Sequence, residues 1–581
     1  MRLLLLLRSA ASGAAFCAAL CLSIAARADD QPVNWANQGP AWNAEARAQF
    51  YSQDQGSRIM PLAWLKGLKR ADGQPFLADD LARYGYLPNP ANSEGLPVGF
   101  TASGLRGAEW AGMSCAACHT RQISVGGETY RIDGGPAIAD FQSFLTDLDA
   151  ATGKVLSDGA AFDEFAGAVL GPGAQPQDAV QLHDSLAAWR LRYHALMAAA
   201  LPDPPWGYGR LDAVSMIFNR LAGLDLGPPP SHLIVDNIVR ADAPVRYPFL
   251  WNATRQDKTQ WPGFEDNGTN QLALPRNLGE VTGMFGVFEP EKNRLRLLGV
   301  SYLNNSSANF DGLEKLEELM KRIGPPRWPW PVDTALADKG RAVFERPAAD
   351  GGCVECHGVK PGRVQFPNQQ TWATPVQDVG TDSREYVVLS RKAHSGVLEG
   401  AQIPDVVRPV KEAAYIVDIL AVSVLGSILQ NYEASVIMDP GAQAVELLKF
   451  HVPPSLQGLV DAFRSIEDIT NLSAIAGAKP AYEARVLEGI WAAAPYLHNG
   501  SVPSLAELLK PAAERVATFQ IGPAYDIEAV GLAVEQPASS STLKTTDCSD
   551  RNSGDSRCGH EYGVQLPPDD KKALLEYLKT L

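Results

Sequence analysis

Two copies of one short motif constrain this chain more than any other feature: GMSCAACHT at residues 112–120 and GGCVECHG at 351–358. Each contains C-x-x-C-H, and the leading cysteines, Cys115 and Cys353, stand 238 residues apart. At this spacing two thiols can add to the two vinyl groups along one edge of a porphyrin, and the adjacent histidine then falls beneath the iron. Zinc and thioredoxin-like centres also use C-x-x-C. A zinc site, however, needs its partners at short spacing, and a redox pair has no need of histidine in both copies. The motifs therefore predict two covalently bound haem c groups, attached through Cys115, Cys118, Cys353 and Cys356, with His119 and His357 as proximal iron ligands.

The rest of the cysteine inventory agrees with export. Residues 1–28 begin with Met1 and Arg2, run through apolar residues and end in Ala26-Arg27-Ala28. That is the pattern of a secretory signal peptide cleaved near Ala28. Cys17 and Cys21 leave with it, and neither follows the small residue of a lipoprotein signal, so a periplasmic or secreted protein is expected. Cys548 and Cys558 remain, in TTDCSDRNSGDSRCGHE, a polar segment that cannot pack a core; a loop-closing disulfide is predicted there. The signal holds three arginines and no acid, so its removal takes the formal charge from −15 to −18. Such a surface repels nucleic acid and anionic membrane. YIVDILAVSVLGSIL, at 415–429, spans only 15 residues and carries Asp418. It reads as a buried helix, with no stable membrane anchor.

The predicted fold is mainly α: two cytochrome c-like haem domains with large insertions and few short strands. GPPRWPWP at 324–331 cannot be helix interior and sets the boundary between an N-terminal haem domain, 29–325, and a C-terminal one, 326–581. Ahead of the second motif, residues 331–346 carry a candidate N-cap at Asp333 and a helical stripe of Leu336, Gly340, Val343 and Phe344. The chain ends in PPDDKKALLEYLKTL, whose apolar face is Leu574, Leu575, Leu578 and Leu581. Gly340 would let this terminal helix approach closely, as in the crossed helix pair of cytochrome c domains. DGLEKLEELMKRIG, at 311–324, reads as a further helix.

IWAAAPYLHNGSVPSLAELL, at 490–509, places His498 on a turn among apolar residues, where it could close the distal face of the second haem; a hydrogen-bonded turn histidine is the alternative. APYLHNGSVPSL resembles the APYxHNGS signature of the bacterial di-haem cytochrome c peroxidase superfamily, and the two C-x-x-C-H motifs match it. Where many of those peroxidases carry a methionine ligand this chain has Leu497, which cannot bind iron. QGSRIMPLAWLKGL, LARYGYLPN, YRIDGGPAIADFQSFL and WGYGRLDAVSMIFNRL resemble blocks of a longer branch, the rubber oxygenases and related di-haem proteins. That branch implies a histidine as second ligand of the C-terminal haem, which His498 could supply, and a first haem that is open or holds dioxygen. Some relatives hold Ca2+ between the domains, which adds calcium as a candidate cofactor.

The resemblance also implies a tryptophan relay between the haems. Trp251 and Trp261, in RYPFLWNATRQDKTQWPGF, are the candidates, against the plainer reading that they fill the core. Glu128 is a candidate proton donor near the first motif. His183 and His194 read as ordinary helix histidines, and His232, His394, His451 and His560 carry no signal. Three functions compete. A periplasmic peroxidase would pass electrons from a small soluble donor such as a cytochrome c through the C-terminal haem to peroxide at the N-terminal one. An oxygenase would use dioxygen to cleave double bonds of an apolar substrate. A plain electron carrier would need far less chain. The peroxidase-type oxidoreductase is the preferred reading.

Overall fold

The computed structural model describes residues 33–581 apart from 297, 366–367, 404–406 and 438–478. The signal peptide expected over residues 1–28, and His451, lie outside the described residues.

The first C-x-x-C-H is a single helical turn, Cys115–Cys118, set between two small sheets. The strand Ala108–Met113 leads into it and pairs antiparallel with both Phe100–Leu105 and Met60–Pro61. The strand Thr120–Val125 leaves it and pairs antiparallel with Glu128–Asp133, whose free edge takes Val33–Trp35 in parallel. The turn between Thr120–Val125 and Glu128–Asp133 is Gly126-Gly127, with φ of 59° and 88°. A two-residue hairpin of this kind needs positive φ at both positions, which glycine alone adopts freely. Against the sheet that contains Ala108–Met113 pack the helices Phe141–Ser157, Gly159–Leu170 and Pro176–Ala200, the first two capped by Asp140 and Asp158.

The second C-x-x-C-H is again one turn, Val354–His357. It follows the helix Thr334–Phe344, which Asp333 caps by accepting from the Leu336 amide at 3.0 Å. This helix crosses the terminal helix Pro568–Leu578 at Gly340, where a Cβ would lie 1.9 Å from the Ala573 carbonyl oxygen. Only glycine permits that approach.

The expectation of a mainly α fold with two cytochrome c-like haem domains and few strands is wrong. The structure is 38% helix and 18% strand, with eight two-stranded and two three-stranded sheets among the described residues. A crossed helix pair frames the second motif, whereas strands frame the first. The strands escape periodicity because most run two to six residues, too short for an alternation to register, and several pair with distant partners. Tyr482–Glu483, for example, pairs with Val376–Gln377.

Three clusters of buried apolar side chains form the core. One lies among the helices between residues 141 and 200 and the adjoining sheet. A second joins residues such as Phe218 and Leu278 to the helix Ile416–Ile437, which buries Ile419, Val422, Leu425 and Ile428. The third runs from Trp42 and Ile132 through Trp491 to Leu574 and draws on both sides of residue 325. Among the described residues no helix is long and apolar enough to cross a membrane.

Candidate functional site

Both motif histidines are held in the same way. His119 Nδ1 bonds the Pro248 carbonyl at 2.8 Å, and His357 Nδ1 bonds the Arg485 carbonyl at 2.7 Å. A carbonyl can only accept, so each Nδ1 carries the proton and each Nε2 is left as a bare lone pair, the form a metal requires. Burial pushes His119 down to about 4 and lowers His357 as well, so both imidazoles are neutral at physiological pH. The cysteines of neither motif pair as a disulfide. Burial raises the Cys118 thiol to about 12 and Cys353 to about 11, so both are thiols rather than thiolates.

Each motif opens into its own cavity. One is lined by Cys115, Cys118 and His119, the other by Cys353, Cys356 and His357. Free thiols, an oriented imidazole and an apolar hollow at each motif are the donor set and room that a covalent haem needs. Among the described residues no group of three or more His, Cys, Asp or Glu is arranged to hold a bare metal ion.

The two cavities share a wall of Arg246, Phe249, Trp261, Glu483 and Arg485. Trp261 donates its indole N–H to the Arg246 carbonyl at 3.1 Å, and the Arg246 guanidinium lies 4.8 Å from its ring centre. Trp251 lines neither cavity. It is fully buried behind Phe249, stacked at 4.7 Å, and donates to the Glu488 carbonyl at 2.7 Å. Of the two tryptophans singled out in the sequence, Trp261 alone touches both spaces.

His498 lines the second cavity beside this wall. Its ring stacks on Tyr482 at 3.8 Å and meets Trp261 edge-on at 6.5 Å. The histidine nearest His357 is a different one. The His560 ring centre lies 6.1 Å from that of His357, inside the same cavity, and its Nδ1 is buried without a partner. Two imidazoles bound across one metal, at roughly 2 Å to each nitrogen, have ring centres roughly 6 Å apart. Burial, His357 and Arg515 push His560 down to about 3, so it too is neutral.

His560 carries no signal in the sequence because it sits in a polar loop with no motif around it. The useful signal was its neighbour: Cys558 forms the expected disulfide with Cys548, two residues before the histidine. Further clamps fix the same segment. Asp382 accepts from the amides of Gly554 and Ser556, and Arg515 donates to the carbonyls of Arg557, Gly559 and His560.

The first cavity has His119 as its one histidine, among the described residues, with Gln260 and Glu280 as polar companions. Gln260, held at φ 64°, donates from its amide to Glu280 at 3.0 Å. Burial raises the Glu280 carboxyl, opposed by Arg276. Glu128 stands away from this space, exposed on its strand and hydrogen-bonded to Tyr130 at 2.7 Å. His183, His194, His232 and His394 line neither cavity.

Residues 481–520, which include His498, match the family model described as RoxA-like, cytochrome c-like. The uncharacterized protein y4iJ of Sinorhizobium fredii (strain NBRC 101917 / NGR234) is 30% identical, over 94% of this chain and 93% of its own length. The chain belongs to the y4iJ family. A second protein of that organism, the uncharacterized y4iM, is 26% identical over 57% of this chain and 63% of its own. The match is to a cytochrome c-like model and implies covalently bound haem c in this y4iJ-family member.

Proposed function

We propose that the protein is an exported di-haem c oxidoreductase that reduces peroxide in its first cavity with electrons delivered through its second. Haem bound at each C-x-x-C-H supplies one-electron chemistry at iron. The observation that carries the reading is the asymmetry of the two cavities. The second sets two imidazoles, His357 and His560, at the separation of ligands across one metal, which suits storing and passing electrons. The first offers one imidazole, His119, together with the Glu280–Gln260 pair. Breaking an O–O bond requires a proton at the leaving oxygen. Burial favours the protonated form of Glu280, against the opposing Arg276 charge, and Gln260 orients its carboxyl. Trp261, in the shared wall, is the relay, and His498 supports it from the second cavity. The formal charge of −15 suits a basic, soluble one-electron donor protein.

Oxygenation of an apolar substrate is the second reading, favoured by the RoxA-like match and by an apolar space that adjoins the first cavity. The deciding experiment supplies hydrogen peroxide and a reduced cytochrome c to the purified holoprotein, in the wild type and in Trp261→Phe and His560→Ala. Oxidation of two donors per peroxide, slowed at least tenfold in Trp261→Phe, with low-spin absorption lost in His560→Ala, is expected. Oxygen uptake without donor oxidation refutes peroxide reduction; a methionine-ligated first haem in the spectrum, drawn from Met216, Met284 or Met320 on that lining, does the same.

A further inference from the structure

Beside the first cavity lies a second space, which shares Val214, Ile217, Gln260, Arg276 and Glu280 with it. It is walled by Val214, Ile217, Phe218, Phe264, Leu420 and Val424. Four polar or charged side chains reach it, Gln260, Glu265, Arg276 and Glu280, and all but Glu265 also line the first cavity. The part shared with the first cavity carries Gln260, Arg276 and Glu280 beside Val214 and Ile217, and the rest of the chamber is apolar except for Glu265. Gly279, buried on the helix Asn270–Gly283, faces it: a Cβ there would meet no atom within 4 Å. Elsewhere along this helix space is tight, since a Cβ at Gly283 would fall 2.4 Å from Ile217.

A space of this shape selects an amphipathic molecule, with a tail for the apolar wall and a polar end for Glu280 and Gln260. Hydrogen peroxide has no tail and would leave the chamber without a purpose. We infer that the substrate is an organic hydroperoxide with an apolar alkyl tail, the tail lying in the chamber and the O–O group beside Glu280 and Gln260. This inference rests on the peroxide reading above and names its substrate class. The reaction balances as ROOH with two electrons and two protons giving ROH and water. The O–O bond breaks, the terminal oxygen takes one proton and leaves as water, and the alkyl oxygen takes the other to give the alcohol; Glu280 delivers one of these protons and solvent the other. Two molecules of a one-electron donor protein supply the electrons, and Glu280 recovers its proton from solvent.

The test uses the holoprotein, primary alkyl hydroperoxides of four to twelve carbons, and the matching alcohols as unreactive ligands followed by calorimetry. Each methylene that enters the chamber tightens binding by up to roughly fourfold. The kcat/KM for hydroperoxide and the affinity for alcohol should therefore rise together with chain length and then level off. Gly279→Leu, which puts a side chain into the open volume, should lower the ratio of long-chain to hydrogen-peroxide kcat/KM at least tenfold and shorten the alcohol series. The wild-type alcohol series stands without the variant. Reduction of hydrogen peroxide with no dependence on chain length in either series overturns the inference and leaves the peroxide reading intact. Failure to reduce any peroxide, with oxygen consumed in the presence of an apolar olefin, overturns both.

Discussion

Replacing Arg515 by methionine tests how the His560 segment is held. Arg515 is 3% exposed, and its guanidinium donates to five backbone carbonyls. Those of Arg557 and Gly559 lie at 2.8 Å, His560 at 3.1 Å, Lys510 at 3.2 Å and Leu508 at 3.3 Å. One planar group with five N–H donors ties the segment carrying His560 to the 508–510 turn. Methionine fills much of the same volume but leaves these carbonyls facing apolar atoms. A hydrogen bond to a charged donor contributes about 1.5–3 kcal/mol, so the two shortest alone set a cost of about 3–6 kcal/mol. That cost falls on the segment that presents His560 to His357. Guanidinium unfolding of the holoprotein, followed by absorption of the second haem, should show a destabilised variant whose low-spin signal fades at lower denaturant than the bulk signal. Arg515→Lys, with three donors on a single nitrogen, should fall between. A methionine variant that keeps both the wild-type spectrum and the wild-type midpoint would sink the assignment of Arg515 as the clamp.

Two further outcomes test the scaffold. Gly340→Ala should destabilise the protein by about 2–3 kcal/mol, measured by chemical unfolding, because the new methyl meets the Ala573 backbone and neither helix can yield alone; a neutral result would mean the helices do not cross this closely. Asp212, buried and capping the helix Ala213–Asn219, is raised to about 6 by desolvation against an ordinary 3.8. The folded state therefore binds the proton more tightly, and the stability this gives is full below about pH 4 and is lost as pH rises to about 6. The shift corresponds to about 3 kcal/mol at 1.36 kcal/mol per pH unit. Unfolding free energies between pH 4 and 7 should show this fall in the wild type and not in Asp212→Asn; parallel profiles refute it.

Much of the chemistry was legible because it is local. C-x-x-C-H declares itself in five residues, since thiols and imidazole must reach one porphyrin edge from one helical turn. Asp333 as a cap, Gly340 as a crossing point and the Cys548–Cys558 bridge were readable for the same reason, each resting on a few neighbouring residues. The mainly α expectation failed where strands are two to six residues long and pair with distant partners, beyond the reach of any periodicity.

The sequence thus carried the two C-x-x-C-H motifs, the acidic formal charge and the glycine at which two helices cross. Tertiary closure supplied the rest. His560 faces His357 across 203 residues of chain because a disulfide, Asp382 and Arg515 together pin its loop. Trp261 rather than Trp251 reaches both cavities because Phe249 stands between Trp251 and the space. The apolar chamber exists only where three separated segments, carrying Val214, Phe264 and Leu420, pack side by side. Such juxtapositions depend on how loops close and surfaces bury, and these are properties of the whole fold that no short stretch of residues encodes.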